Sequence, residues 1–319
     1  MKNRAILVMT LVVAGLPTLP LPAAAYVRTV TEKGALAAWK TPCVTMEFSL
    51  GAPPPELDSQ SYLDAAKAAG AAWSQASLDG VDRCTNVIFT VVSVPDVAGP
   101  VGMDYHNRLI FRQDQWCRDP PPQDPNDPPC YDPHALAITS VFQLTNSGEI
   151  LDADLEVNAH DFTWGDFVVH PELFESNTQD FQGTITHEFG HVIGLYHTCF
   201  NPGVTFADGK AVPRPVDNLG KPVPDCSDYD LPDIVTEATM YVSVASPSAE
   251  VELRSLSPDD LQAACDIYPV TTGFVCLPPS GAYVGAGGGG CSYPAGSRHN
   301  SIACVLVLLV MATVVRRRG

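Results

Sequence analysis

Apolar positions along the chain alternate between two spacings. VTMEFSL (44–50) alternates apolar and polar residues, the pattern of a strand with one buried face. In SYLDAAKAAGAAWSQA (61–76), Leu63, Ala66, Gly70 and Trp73 recur at helical spacing and predict an amphipathic helix with a small-residue face. NVIFTVV (86–92) and RLIF (108–111) read as further strands. ALAITSVFQL (135–144) and EILDADLEV (149–157) read as two strands joined by the turn TNSG, where positive φ is expected. The second of the pair sets Ile150, Asp152, Asp154 and Glu156 against Leu151, Ala153, Leu155 and Val157. Its acidic face is expected to be solvated, and it is a candidate for Ca2+, because hard cations take carboxylate oxygens.

A helix follows from about Thr178 to Leu195, then a long loop rich in Pro, Gly and Asp from Thr198 to Thr239. The last element is SLSPDDLQAACDIY. Ser257 suits an N-cap, Pro258 the first helical position, and Asp259 and Asp260 the positive helix end, while Leu261, Ala264, Cys265 and Tyr268 form an apolar stripe. Strands interspersed with a few helices predict a single α+β domain. Between Cys117 and Cys130 the run CRDPPPQDPNDPPC holds six prolines, which exclude helix and sheet and predict an exposed loop tied at its base.

Both ends depart from this pattern. Lys2 and Arg4, the apolar run Ala5 to Leu16 and the small residues Ala23 and Ala25 read as a secretory signal over 1–25, with a mature chain from Tyr26. At the other end come a Gly/Pro-rich linker (271–290), Cys291, a polar spacer, an apolar run from Ile302 to Val315 and Arg316 to Arg318. Fourteen residues rise about 21 Å as a helix, short of a hydrocarbon core of roughly 30 Å. The layout fits a sorting signal that is cut and exchanged for an anchor, and also a simple C-terminal anchor; either places the domain outside the cytoplasm. The tail 291–319 resembles the MYXO-CTERM sorting tails of myxobacterial surface proteins. That resemblance makes Cys291 the processing position and the membrane a partner only through the tail.

Residues 26–290 keep 12 of the 18 Lys and Arg and all 36 acids, a net charge of −24. Such a surface repels nucleic acid and anionic lipid, which excludes both as partners of the domain. Eight cysteines lie in that span, an even number that predicts disulfides in an exported chain. Eight cysteines allow 105 pairings. The sequential set Cys43–Cys84, Cys117–Cys130, Cys199–Cys226 and Cys265–Cys276 is attractive because its last three bridges would each staple a loop rich in Pro, Gly or Asp.

The chemistry concentrates in HEFGHVIGLYH (187–197). On a helix His187 and His191 share one face, one turn apart, and two imidazoles so placed can bind Zn2+. Glu188, rotated about 100° from His187, points beside the ion, where a general base for an activated water belongs. Gly194 is placed to end the helix with positive φ, so that His197 can return as third ligand and leave one coordination position open. His134, His160 and His170 are candidates for a second zinc site, with spacing that suits one poorly. His106 and His299 have no evident partner in the sequence.

The pattern H-E-x-x-H-x-x-G-x-x-H followed by a methionine resembles the metzincin metallopeptidases. DFQGTITHEFGHVIGLYH, GEILDADLEVN, ATMY (238–241) and LSPDDLQAACDIYP resemble the matrixin, or matrix metalloproteinase-like, catalytic domain over roughly residues 38 to 270. This resemblance implies a mostly parallel twisted sheet of about five strands with three helices in a domain over 26–270. It also implies Met240 as a Met-turn residue under the three histidines and a monomer acting on protein or peptide substrates. The chain departs from the family in three places. Cys43 lies 17 positions after Tyr26, which leaves no room for a cysteine-bearing propeptide. Forty-two residues separate His197 from Met240, with Thr198 where serine is usual. Val242 stands where proline often follows Met-Tyr. The expectation is a secreted or surface-anchored zinc endopeptidase with Glu188 as base. The alternative is a non-catalytic surface binding or adhesion module that keeps zinc for folding.

Overall fold

In the computed structural model, residues 26–49, 53–95, 101–119, 121, 130–175, 177–202, 212–242, 247–276 and 309–314 are described. The signal segment, Cys291, His299 and most of the proline-rich loop and of the C-terminal tail lie outside them.

Two short strands, β1 (Val27–Arg28) and β2 (Ala38–Trp39), precede β3 (Cys43–Ser49), whose buried positions alternate along the strand. Helix α1 (Ser59–Ser74) is capped by Asp58, whose side chain accepts from Ser61 N. It crosses over to β4 (Ile88–Val94), which pairs parallel with β3, as a crossover helix allows. β5 (Asn107–Arg112), β6 (Ala135–Gln143) and β7 (Glu149–Asn158) complete the main sheet, and β6 and β7 form the expected antiparallel hairpin. Its turn carries Gly148 at φ +72°; any side chain there would run into the Leu36 carbonyl.

Further along come β8 (Thr163–Gly165), a 3-10 turn (Pro171–Glu175) and β9 (Thr178–Asp180). Then follow α2 (Phe181–Val192), β10 (Leu195–Tyr196), α3 (Asp233–Thr236), α4 (Pro247–Glu252) and α5 (Pro258–Ile267). Residues 309–314 form β11. The main sheet runs β11-β6-β7-β5-β3-β4, with β2 beside β7. Only the β6–β7 and β11–β6 pairs are antiparallel, so the sheet is mixed and mostly parallel. The expected α+β character holds, with five helices among the described residues in place of three: α3 arises near the end of the long loop and α4 between that loop and α5, where no apolar period signals them. No helix among the described residues is long and apolar enough to cross a membrane.

Helices α1 and α2 cover one face of the sheet. Gly70 on α1 lets the Phe89 side chain approach, and Phe89 stacks on Phe189 of α2 with ring centroids 4.6 Å apart. Trp73, fully buried, donates from Nε1 to Thr186 O at 2.8 Å and so fixes α1 against α2. The α5 terminus forms as its residues dictate, with a reciprocal capping box between Ser257 and Asp260.

The acidic face of β7 is not solvated. Asp152, Asp154 and Glu156 are all fully buried, because the segment 102–108 folds over the first two and Arg112 and Tyr131 engage the third. Asp152 accepts from Asp104 N and Tyr105 N at 2.7 and 2.6 Å, and Asp154 from Gly102 N and Arg108 N at 2.9 and 3.0 Å. Glu156 binds Arg112 Nε and Tyr131 Oη. These carboxylates anchor loops, a use that alternation along one strand does not reveal. Burial, reinforced by the Asp152 charge, pushes the Asp154 carboxyl up to about 8. Folded Asp154 therefore keeps a proton that the unfolded chain releases near its ordinary value of about 4. Stability from this group is present below that value and is lost as pH rises towards 8, by at most about 1.4 kcal/mol per unit. The three buried histidines raise stability as their unfolded forms lose protons near pH 6.5, so the group is read by comparison: between pH 6.5 and 8 the urea midpoint of the wild type should fall relative to that of Asp154→Asn. Parallel changes in the two proteins would refute this assignment.

Four disulfides are present: Cys43–Cys276, Cys84–Cys265, Cys117–Cys130 and Cys199–Cys226. The last two match the sequential set and the first two do not. The chain leaving α5 returns beside the segment before β4, where Asn86 N donates to Tyr268 O and Val270 N to Cys84 O. Cys84 therefore meets Cys265, at a Cα separation of 5.1 Å, and Cys276 reaches the start of β3. Residues 271–276, expected to belong to the linker, are thus tied to the domain. Four disulfides suit an oxidising, extracellular environment.

Candidate metal centre

The helix that carries His187 and His191 starts later than its apolar pattern suggests. Asp180 is its N-cap and accepts from Gly183 N at 2.7 Å. That carboxylate is fully buried and meets Arg254, which binds it through Nε and Nη2 and binds Asp166 through Nη2 at 2.6 Å. Asp180 N in turn donates to Glu250 of α4. The N-terminal end of α2 is therefore held by charged side chains from the chain around α4.

One face of α2 carries His187 and His191. The helix ends at Ile193, and Gly194 at φ +92° turns the chain; a side chain there would strike the Ala37 carbonyl. β10 then pairs with β1 and delivers His197. The three histidines are the only group of three or more His, Cys, Asp or Glu side chains among the described residues whose ligating atoms converge, all within 4.8 Å of one another. Nε2 of His197 lies 3.2 Å from Nε2 of His187 and 3.1 Å from Nε2 of His191. Three ligands about 2.05 Å from one ion, tetrahedrally disposed, sit about 3.3 Å apart, so the spacing fits a metal.

His187 Nδ1 lies 2.6 Å from Thr239 O and His191 Nδ1 2.9 Å from Leu195 O. A carbonyl only accepts, so both Nδ1 atoms carry protons and both Nε2 atoms present lone pairs. One proton on His197 Nε2 could serve only one of them. Burial pushes the His187 imidazole down to about 4 and the other two well below the ordinary histidine value, and the neighbouring imidazoles add to the shift for those two. Neutral, converging imidazoles are what a metal ion requires.

Met240 is buried against α2. An added Cβ at Gly190 would collide with its Sδ and with Trp73, so only glycine fits between the two ligating turns. The preceding residue holds His187 through its carbonyl, and Thr239 N is itself fixed by Asp260 Oδ2 at 2.7 Å. Asp260, read from the sequence as a favourable charge at the α5 terminus, therefore also orients His187 two steps away. Thr198 donates from N to Met240 O at 3.1 Å and from Oγ1 to Val235 O at 2.8 Å, beside the Cys199–Cys226 bridge, and these bonds pin the segment carrying His197.

Glu188, fully buried, accepts from Thr139 Oγ1 of β6 at 2.6 Å. Nothing in the sequence marked Thr139, since a threonine inside a strand is ordinary. The remaining histidines are scattered. His106 pairs with Glu47 at 2.8 Å, His170 with Glu172 at 3.1 Å, and His160 lies 3.2 Å from Gln113 O. With His134 they form no second metal cluster among the described residues. No protein-family model and no curated protein matches this chain.

Proposed function

We propose that this protein is an exported zinc-dependent endopeptidase of the matrixin type. The observation that carries the proposal is the buried convergence of three neutral imidazoles with a carboxylate, Glu188, on the adjoining helical position. Three protein ligands suit a catalytic zinc site, which keeps a position open, more than a structural one, which is closed by four. The all-nitrogen ligand set suits zinc. The reading is supported further by Met240, buried against the helix that carries His187 and His191.

Zinc bound here would polarise a water molecule and the scissile carbonyl. His187 and His191 are held in their ligating tautomer by backbone carbonyls, so no proton has to leave them before binding. Glu188 takes the proton of the attacking water and returns it to the leaving amine. Its burial keeps bulk water from competing for that proton. The oxidising environment that the disulfides suit, the signal-like N-terminus and the sorting-like tail support an extracellular or surface location.

Cleavage of unfolded casein tests the reading against the non-catalytic zinc module. The endopeptidase reading expects casein fragments from the purified protein, suppressed by a zinc chelator and restored by added zinc. Stoichiometric zinc with intact casein would favour the binding module.

A further inference from the structure

The row of β6 that faces α2 is apolar on either side of one residue: Ala137 and Val141 belong to the core, and Thr139, between them, is fully buried. A valine would fill that position with better strand propensity and no buried hydroxyl. The hydroxyl is used. Thr139 Oγ1 lies 2.6 Å from Glu188 Oε2, a charge-assisted length, and 3.4 Å from Glu188 O. Resting on the reading of Glu188 as the base, we propose that Thr139 is a positioning residue, whose hydroxyl locks the Glu188 carboxylate into the orientation in which it accepts the water proton.

Glu188 sits on α2 between two ligands that are held by carbonyls of Thr239 and Leu195. Those bonds fix the imidazoles and leave the glutamate side chain to other partners. Thr139 comes from the sheet, and its backbone is locked in register opposite Leu155 of β7. A strand paired on both edges, as β6 is with β7 and β11, is a rigid mount, and a hydrogen bond from it fixes the glutamate torsion relative to the sheet as well as to its own helix. Thr139 touches neither the imidazoles nor their carbonyl partners in this network, so losing its hydroxyl should leave metal binding intact.

Thr139→Val removes the hydroxyl at constant shape. In the full, zinc-loaded chain kcat should fall about 10- to 100-fold, the range for lost outer partners of a metal site, with KM and zinc content unchanged. Thr139→Ser should restore most of the rate. Wild-type kcat in Thr139→Val, a loss of zinc in step with kcat, or a serine variant no better than valine would each overturn the proposal. A second measurement needs neither metal nor activity. In the metal-free chain, the infrared difference between wild type and Glu188→Gln isolates the Glu188 carboxyl stretch. The same difference in a Thr139→Val background should be displaced, and an unmoved band contradicts the positioning bond whether or not the protein cleaves peptides. If the wild type cleaves nothing, it is the endopeptidase reading that fails.

Discussion

Glu188→Gln should bind zinc as the wild type does and lose nearly all peptide cleavage. The three ligands are unaltered, and glutamine keeps the shape of the buried side chain and an oxygen for the Thr139 hydroxyl. Only the capacity to accept a proton is removed. General acid–base groups contribute typically about 10²- to 10⁴-fold, and kcat should fall within that range while KM stays near its wild-type value. Metal analysis and kcat measured on one preparation check both halves. A Glu188→Gln protein that retains zinc and cleaves at the wild-type rate would remove Glu188 from the chemistry; one that loses zinc would make it a structural support of the site.

The largest effect on stability is expected at Arg254. Its guanidinium is the cation beside Asp180, a fully buried carboxylate that caps α2, and it holds Asp166 as well. Arg254→Met keeps the aliphatic bulk and strands the Asp180 charge. Removing one partner of a buried pair costs about 3–5 kcal/mol, a large share of the about 5–15 kcal/mol available to a domain. The urea midpoint should drop accordingly. Asp180→Asn added to that variant should recover part of the loss, because the stranded charge is gone while an N-cap oxygen remains for Gly183 N. A midpoint unmoved by Arg254→Met would mean that Asp180 finds another partner.

The site's reactive groups were legible in the sequence because they lie on one helix and the turn after it. Helical spacing alone puts His187 and His191 together, and a glycine at 194 predicts the turn that returns His197. The hairpin was legible from its turn, and α5 from its cap. What holds these side chains was not legible, since it comes from backbone atoms or from far along the chain. The Thr239 and Leu195 carbonyls that set the imidazole tautomers are backbone atoms, which residue type does not announce. Thr139 lies 49 positions from its partner. Asp152 and Asp154 looked solvated because alternation reports two faces of a strand and cannot show a loop from residues 102–108 closing over one of them. The disulfides divide in the same way. Cys117–Cys130 and Cys199–Cys226 close local loops, whereas Cys43 and Cys84 pair across 233 and 181 positions because α5 and the chain after it return beside the first strands.

The most direct test of a catalytic three-histidine zinc centre is a titration of metal-free protein with zinc, followed by the rate of casein cleavage at each addition. The endopeptidase reading predicts a rate that rises from near zero in proportion to added zinc and breaks at one equivalent. Full activity without metal, or one tightly bound equivalent that brings no cleavage, would contradict it.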